Sequence, residues 1–334
     1  MANYVYILKC KDNTLYSGVT KNPYSRLKAH AAGKGARYTR SHGAEDFVAI
    51  WWAPSYGAAL KLEYRLKTLS RSQKEVIVFN KTSSFEGLGD YVFLGGESYA
   101  EKLEIANKYL KQDKVQYVDI SEALDLGLGI VEKATEKGVL VYLPTCKDYF
   151  IATDDLQTLT DFSAFLCEWD TVVTHRSFER EYLKEKYDLT SFGYCYNVAY
   201  LKKTPPETDG SITIAPLKSE HAKIVNETYK LFDASEEVKD LISKGLMLGV
   251  FEGDTLTGFA GFHAQGALGM LEVLPEYRRR GYGEALSKAM ISLAMSKGRI
   301  PFAQIFSDNV PSIKMQEKLG FSFSAPTICW LSKK

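Results

Sequence analysis

The sequence predicts a multidomain protein of mixed α/β and α+β class. A small α/β domain would occupy residues 1–80, an α/β middle region 91–201 and a third α/β domain 211–334. Three observations predict it. The chain has 334 residues, and at about 150 residues per domain that suggests two or three domains. Short apolar, β-rich runs alternate with helix-like stretches along its length. A Ser/Gly-rich segment, TSSFEGLGD (82–90), and a Pro-containing charged one, KKTPPETDG (202–210), read as linkers. Apolar residues at 45% and charged residues at 25% exclude disorder, collagen-like repeats and coiled coil. No apolar run approaches the roughly 20 residues of a membrane helix. The N-terminus passes straight into a strand-like run, so no signal peptide is expected. Five scattered cysteines, with no CxxC spacing, fit reduced thiols in a cytoplasm better than a disulfide frame or a zinc site.

The elements follow in order. Tyr4 to Leu8 and Thr14 to Thr20 form a hairpin around the turn cluster Lys11-Asp12-Asn13. Asn22-Pro23 starts a helix, with Asn as N-cap and Pro at the first helical position, and Gly33-Lys34-Gly35 ends it. A strand over Asp46 to Ala53, a helix over Tyr56 to Ser70 and a short helix over Ser72 to Phe79 complete the first domain. The middle region shows short strands at Tyr91–Leu94, Gln116–Asp119, Val139–Leu143 and Thr171–Thr174, between helical stretches. From 211 the order is strand, two helices and three strands (about 246–251, 255–263 and 267–274). A helix from Gly281, a strand at 301–306, a helix from Asn309 and a last strand to Trp330 follow.

Pleat alternation puts Tyr4, Tyr6 and Leu8 on one face, and Tyr16 with Gly18 on one face of the next strand. Arg26 and His30, four apart, point the same way from their helix. Glu63 lies at the edge of the apolar stripe of a later helix. These types suit phosphodiester cleavage. A Glu holds a divalent cation with water in the remaining sites, an Arg clamps phosphate, and a Tyr or His takes a proton from attacking water.

Tyr4-Val5-Tyr6 followed by Tyr16-Ser17-Gly18 resembles the paired signature of the GIY-YIG nuclease superfamily, and of its small stand-alone bacterial branch in particular. Arg26, His30, GKGARYTR (33–40) and Glu63 ahead of LKTLSRSQK extend the likeness over residues 1–80. The resemblance implies a catalytic set of Tyr6, Tyr16, Arg26, His30 and Glu63, with Glu63 as the protein ligand of one Mg²⁺ or Mn²⁺. Asn80 matches weakly a position where some members carry a supporting Asn. Gly is replaced by Tyr4 and the middle Ile by Ser17, both scaffold positions. A degenerate domain that only binds nucleic acid is the bland alternative.

In the third domain, MLEVLPEYRRRGYGEA (270–285) places a strand, a glycine-bearing turn and a helix start together. That exposes backbone N–H groups as an anion site, with Arg278, Arg279 and Arg280 adding charge. The run resembles motif A of the GNAT acyltransferases, here Arg278-Arg279-Arg280-Gly281-Tyr282-Gly283. Asn309-Val310-Pro311-Ser312 and EKLGF (317–321) match that family's second signature, and ALGMLEVLPEYR is most similar to its glycine-N-acyltransferase-like branch. The resemblance implies a GNAT fold over 211–334 and acetyl transfer from acetyl-CoA to an unknown amine. Backbone groups from Tyr282, Gly283, Glu284 and Ala285 would hold the pyrophosphate with the arginines. Leu271, Glu272, Val273 and Leu274 would pair with the pantetheine arm, and Asn309 and Ser312 would contact it. Glu272 and His263 are candidate bases, each with a bland structural alternative. Gln316 stands where many members carry a tyrosine acid.

The charge is uneven. Residues 1–80 hold 13 Lys/Arg against 5 Asp/Glu, while the whole chain is nearly neutral at +1. A basic module on an acidic body favours DNA as partner of the module, against a merely solvated face. The chain therefore reads as an N-acetyltransferase joined to a DNA-binding, metal-dependent endonuclease-like domain, located in the cytoplasm and without membrane association. A nuclease with a regulatory acetyl-CoA-binding domain, or a non-catalytic binding protein, are the rivals.

Overall fold

The computed structural model describes residues 3–96, 98–208, 210–230 and 235–333. It divides into two compact units. The first holds Met1–Asp113, Ala123–Phe192 and Cys329–Lys334; the second holds Lys114–Glu122 and Gly193–Ile328.

The first unit opens with β1 (Tyr4–Cys10) and β2 (Leu15–Thr20), followed by α1 (Pro23–Ala31), α2 (Arg37–His42), β3 (Ala44–Trp52), α3 (Tyr56–Thr68) and α4 (Arg71–Phe79). The hairpin register sets Tyr6 opposite Gly18 and Leu8 opposite Tyr16. Val5 and Ile7 point to the other face and are buried in one core with Ala59, Leu62 and Leu66 of α3. Asn22 caps α1 by accepting from the Ser25 N–H at 3.0 Å, and Ser55 caps α3 through the Ala58 N–H at 3.1 Å. The short α2, which begins inside the GKGARYTR segment, was hidden by the glycines that precede it.

The 82–90 segment carries a two-residue pair, β4 (Ser84–Phe85) and β5 (Gly89–Asp90). β6 (Val92–Phe93) then joins the first sheet, whose order is β2-β1-β3-β6. α5 (Tyr99–Leu110) and α6 (Val118–Asp125) follow. Gln116–Asp119, expected as a strand, instead leads into α6. Gln116, Asp119 and Glu122 are all buried and recur every three residues, a helical spacing. The Asn197 amide donates to the Gln116 carbonyl at 2.8 Å, the Gln304 amide to Asp119 Oδ2 at 3.2 Å, and the Ile300 N–H to Glu122 Oε1 at 3.0 Å. A buried face made of polar residues gives no apolar periodicity to read.

β7 (Ile130–Thr135), β8 (Gly138–Leu143), β9 (Asp148–Thr153), α7 (Leu156–Ser163), β10 (Thr171–Thr174), α8 (Ser177–Tyr187) and β11 (Leu189–Ala199) come next. The second unit continues with β12 (Thr213–Pro216), α9 (Ala222–Thr228), α10 (Ser235–Ser243), β13 (Met247–Glu252), β14 (Thr255–Phe262), β15 (Leu268–Val273), α11 (Tyr282–Ser296), β16 (Phe302–Phe306), α12 (Val310–Leu319) and β17 (Ser322–Phe323). Its strands run in the order β12-β13-β14-β15-β16-β11, with β17 also on β11. α9, α10 and α11 cover a core built on Val225, Val238, Phe259, Met270, Leu286 and Met290. The last strand, β18 (Ile328–Lys333), pairs antiparallel with β10, and β10 runs parallel to β9. No helix among the described residues is long and apolar enough to cross a membrane.

Within the first unit, the turn after α6 docks on the turn between β2 and α1. The Tyr4 hydroxyl donates to the Gly127 carbonyl at 2.9 Å and the Asn22 amide to the Asp125 carbonyl at 2.8 Å. Gly127 has φ +68°, and a Cβ there would lie 2.6 Å from the Lys21 carbonyl oxygen. Gly127→Ala should therefore destabilise the first unit by about 1–3 kcal/mol, read as a lower urea midpoint.

Candidate functional site

Five residues expected to converge in the N-terminal module are carried by four different elements. Tyr6 is fully buried on β1. Its ring lies across Gly18 of β2, where a Cβ would come within 2.5 Å of the hydroxyl. Arg26 and His30 of α1 reach the same oxygen: Arg26 Nε donates to Tyr6 Oη at 2.9 Å, and Tyr6 Oη hydrogen-bonds His30 Nε2 at 3.0 Å. The far side of the imidazole, Nδ1, lies 2.7 Å from Thr39 Oγ1. Tyr16 packs 6.2 Å from Tyr6, 5.9 Å from His30 and stacks on Tyr38 at 5.9 Å. Glu63 stands on α3 with Oε1 accepting from Lys67 Nζ at 2.8 Å; its charge bears on the Tyr6 hydroxyl. Asn80, by contrast, is exposed at the C-cap of α4.

Burial dominates the electrostatics. It pushes the Tyr6 phenol up to about 12, against the opposing hydrogen bond from Arg26. It pushes His30 down to about 4, helped by the Arg26 charge. Burial also works against the Arg26 charge, but the Tyr6 and Tyr16 hydroxyls outweigh it and its pKa rises. At neutral pH the cluster is thus a protonated phenol between a fixed cation and a neutral imidazole.

The C-terminal site is built by a bulge. β15 runs parallel to β16, yet only Leu268 and Ala303 pair. Met270 has φ +49°, and the β14 register jumps between Phe259–Glu272 and Gly261–Gly269, so Met270 and Leu271 oppose Ala260 alone. A bulge of this kind bends its strand, and here the bend accompanies the parting of β15 from β16. The cleft of about 110 Å³ beside it is lined by Gly269, Leu271, Ser287, Ile305, Ser312 and Gln316, among others. Gly281, φ +83°, precedes α11, and nothing stands within 4 Å of where its Cβ would be. Arg279 also takes a positive φ, +66°.

Several expectations change in detail. The Ala285 N–H already donates to the Gly281 carbonyl at 3.0 Å, which leaves Tyr282, Gly283 and Glu284 as the N–H groups without an intrahelical acceptor. Arg278 Nε donates to the Val273 carbonyl at 3.0 Å, and Arg280 Nη1 to Glu252 Oε1 at 2.8 Å. Both help to hold the turn, and Arg279 is exposed. Tyr282 bonds Glu252, and Glu284 pairs with Lys288 and Lys318. The Leu274 N–H donates to the Thr257 carbonyl at 2.9 Å. Asn309 is the N-cap of α12, its Oδ1 accepting from the Ser312 N–H at 3.2 Å.

Glu272 sits on β15 with its Oε2 4.0 Å from Arg278 Nη2, and burial raises its pKa. His263 lies at the β14–β15 turn, its N–H donating to the Ala267 carbonyl at 2.8 Å. Burial lowers it to about 4, and its ring packs so closely over Gly269 that a Cβ there would touch Nε2. Sequence reasoning missed Glu237 of α10, which burial lifts to about 7 and whose Oε1 is buried without a hydrogen-bond partner. Its position beside the apolar Val238 was the only signal.

Residues 2–76 match the family profile of the GIY-YIG catalytic domain, and residues 247–331 that of FR47-like protein. A UPF0213 protein of Halalkalibacterium halodurans is 48% identical over 86 residues, spanning 26% of this chain and 92% of the relative. One from Clostridium perfringens is 45% identical over 80 residues, 24% of this chain and 86% of the relative. A Drosophila protein of solved structure aligns over 71% of this chain and 97% of its own, with TM-score 0.54 and 15% identity. A GCN5-related N-acetyltransferase-like protein from Streptococcus suis aligns over 70% and 100%, at TM-score 0.42 and 15% identity. The family profiles thus mark the chain as a fusion of a GIY-YIG domain with an FR47-like domain. Through its N-terminal quarter the chain belongs to the UPF0213 family.

The neutral His30 gives a testable pH dependence. Folding lowers its pKa from 6.5 to about 4, so protonation favours the unfolded chain. Its contribution to stability is intact above about pH 6.5 and is lost as pH falls through 4. His30→Gln should flatten the loss of Tm between those values in calorimetry; a slope equal to the parent's would contradict a buried neutral imidazole.

Proposed function

We propose that the protein is a two-module enzyme: a metal-dependent endonuclease acting on DNA through residues 1–80, and an acetyl-CoA-dependent N-acetyltransferase of the glycine-N-acyltransferase-like branch through residues 211–334. Residues 91–201 would be an accessory or GNAT-like half. The observation that carries the first activity is the convergence of Arg26 and His30 on the Tyr6 hydroxyl, within reach of the Glu63 charge. The surplus of basic residues in this module supports a polyanionic partner.

Among the described residues no group of three His, Cys, Asp or Glu could hold a metal ion. One carboxylate with water completing the sphere suits Mg²⁺ or Mn²⁺, and Glu63, its side chain 16% exposed, is the residue that would supply it. The cation would contribute Lewis-acid stabilisation of the phosphate. Arg26 would hold a phosphate oxygen, and Tyr6 would take the proton of the attacking water while His30 orients it. Glu63→Ala should cut Mg²⁺- or Mn²⁺-dependent nicking by about a thousandfold or more. DNA binding should survive, since the module becomes more positive. Undiminished nicking by the variant would place the metal elsewhere.

In the second activity, the β15 backbone from Leu271 to Leu274 would line the cofactor arm. The N–H groups of Tyr282, Gly283 and Glu284, with Arg279, would hold a pyrophosphate. Acetyl-CoA would supply the activated acyl group. Glu272, on β15 with its carboxyl pKa raised by burial, and His263 at the β14–β15 turn are the groups that would take a proton from an amine acceptor. Gln316 offers no proton for the departing thiolate, which leaves readily without one. The free thiols of all five cysteines suit a reducing cytoplasm. Gly281→Glu puts bulk and negative charge into the open space at the helix start. It should abolish acetyl-CoA binding by calorimetry, and unchanged affinity would sink the transferase assignment.

A further inference from the structure

The GKGARYTR segment wraps over the far side of the His30 imidazole. Gly35 makes the wrap possible, because a Cβ there would lie 2.2 Å from His30 Nδ1. Thr39, 2% exposed, then brings Oγ1 to 2.7 Å from Nδ1 and donates its own hydrogen to the Ala36 carbonyl at 3.0 Å.

Four hydrogen bonds therefore run in series from Arg26 through Tyr6, His30 and Thr39 to Ala36, and both ends have a fixed polarity. An arginine Nε–H only donates, and a carbonyl oxygen only accepts. Tyr6 Oη accepts from Arg26 and keeps a second lone pair and one hydrogen, so it can meet either form of His30 Nε2. Thr39 spends its hydrogen on Ala36, so Oγ1 accepts from Nδ1. The Thr39 end therefore demands a neutral ring protonated at Nδ1 with the lone pair on Nε2, which takes the Tyr6 hydrogen. Reversing the His30–Thr39 bond would leave the Thr39–Ala36 contact without a hydrogen.

We propose that Thr39 is a positioning residue that sets the tautomer of His30, so that Nε2 is the proton-accepting nitrogen facing Tyr6. The assignment rests on the nuclease reading of the Tyr6 cluster for its catalytic meaning, and on the hydrogen-bond polarity alone for its structural content. When Tyr6 takes a proton from water, its own O–H bond breaks and the proton forms a new bond to Nε2. Nδ1 keeps its hydrogen, still donated to Thr39. With the other tautomer Nε2 would already carry a hydrogen, and the Tyr6 proton would have no place to go.

The experiment is a long-range ¹H–¹⁵N correlation spectrum of the full chain carrying ¹⁵N-histidine at neutral pH, for the parent, Thr39→Ser and Thr39→Val, with nicking kinetics on plasmid DNA in Mn²⁺. The parent and Thr39→Ser should show His30 protonated at Nδ1. Thr39→Val, nearly isosteric but without an acceptor for Nδ1–H, should shift the ring toward the Nε2–H form. Its kcat should fall by about tenfold or more, a fraction of the roughly 10²–10⁴-fold that a positioned proton-transfer group contributes, with KM little changed and Thr39→Ser restoring the rate. A parent ring protonated at Nε2 overturns the inference even if Thr39→Val fails to fold. So does Thr39→Val with the parental tautomer. A parent that nicks no DNA, yet shows the Nδ1–H form and loses it in Thr39→Val, overturns the nuclease reading and upholds the positioning role.

Discussion

A phenol hydroxyl sealed inside a sheet must be hydrogen-bonded or it costs the fold a few kcal/mol, and the N-terminal module is arranged around that requirement at Tyr6. Strand alternation turns the ring away from the Val5–Ile7 core and over Gly18. The α1 helix, fixed at its start by Asn22 and Pro23, presents Arg26 and His30 one turn apart, which is the spacing that lets both reach one oxygen. The loop after α1 must then satisfy the imidazole in turn, and Gly35 and Thr39 do so. The glycines of the pattern are spaces reserved for side chains as much as hinges of the backbone.

The C-terminal module uses the opposite device. Where the first site is filled and fully bonded, the second is held open. The Met270 bulge and the single pairing of β15 with β16 separate two strands that would otherwise close their ladder. The open space at Gly281 keeps the start of α11 approachable. Met270 in the bulge and Arg279, two residues before Gly281, both take positive φ. Conformations of that kind cost about 1–3 kcal/mol each and persist where the surroundings hold them; here Arg278 and Arg280 brace the turn through Val273 and Glu252.

Much of this was legible in the sequence because the signals were local. The Tyr4–Thr20 hairpin, the Asn22-Pro23 helix start and the Thr171–Thr174 strand depend on neighbours in the chain. Two periodicities put Tyr6 on one strand face and Arg26 with His30 on one helix face, and the family resemblance implied that they meet with Tyr16. What stayed hidden depends on burial from afar. Gln116 and Asp119 read as surface until Asn197 and Gln304 cover them. Thr39 reads as one polar residue in a basic run, and nothing local ties it to an imidazole nine residues earlier. Glu237 looks like the solvated side of an amphipathic helix. The Met270 bulge leaves no mark at all, since a methionine in a β-rich run predicts regular pairing.

Burial also decides which chemistry each site can perform. In the first, desolvation moves Tyr6 and His30 apart, to about 12 and about 4. Neither changes charge near neutrality, so the phenol keeps its proton and the imidazole stays neutral. In the second unit, desolvation raises Glu237 of α10 as it raises Tyr6, but from the carboxylate range to about 7. The same burial thus moves Tyr6 and His30 away from neutrality and Glu237 toward it. The difference lies in where each group starts: a phenol above neutrality, an imidazole just below it and a carboxylate far below it.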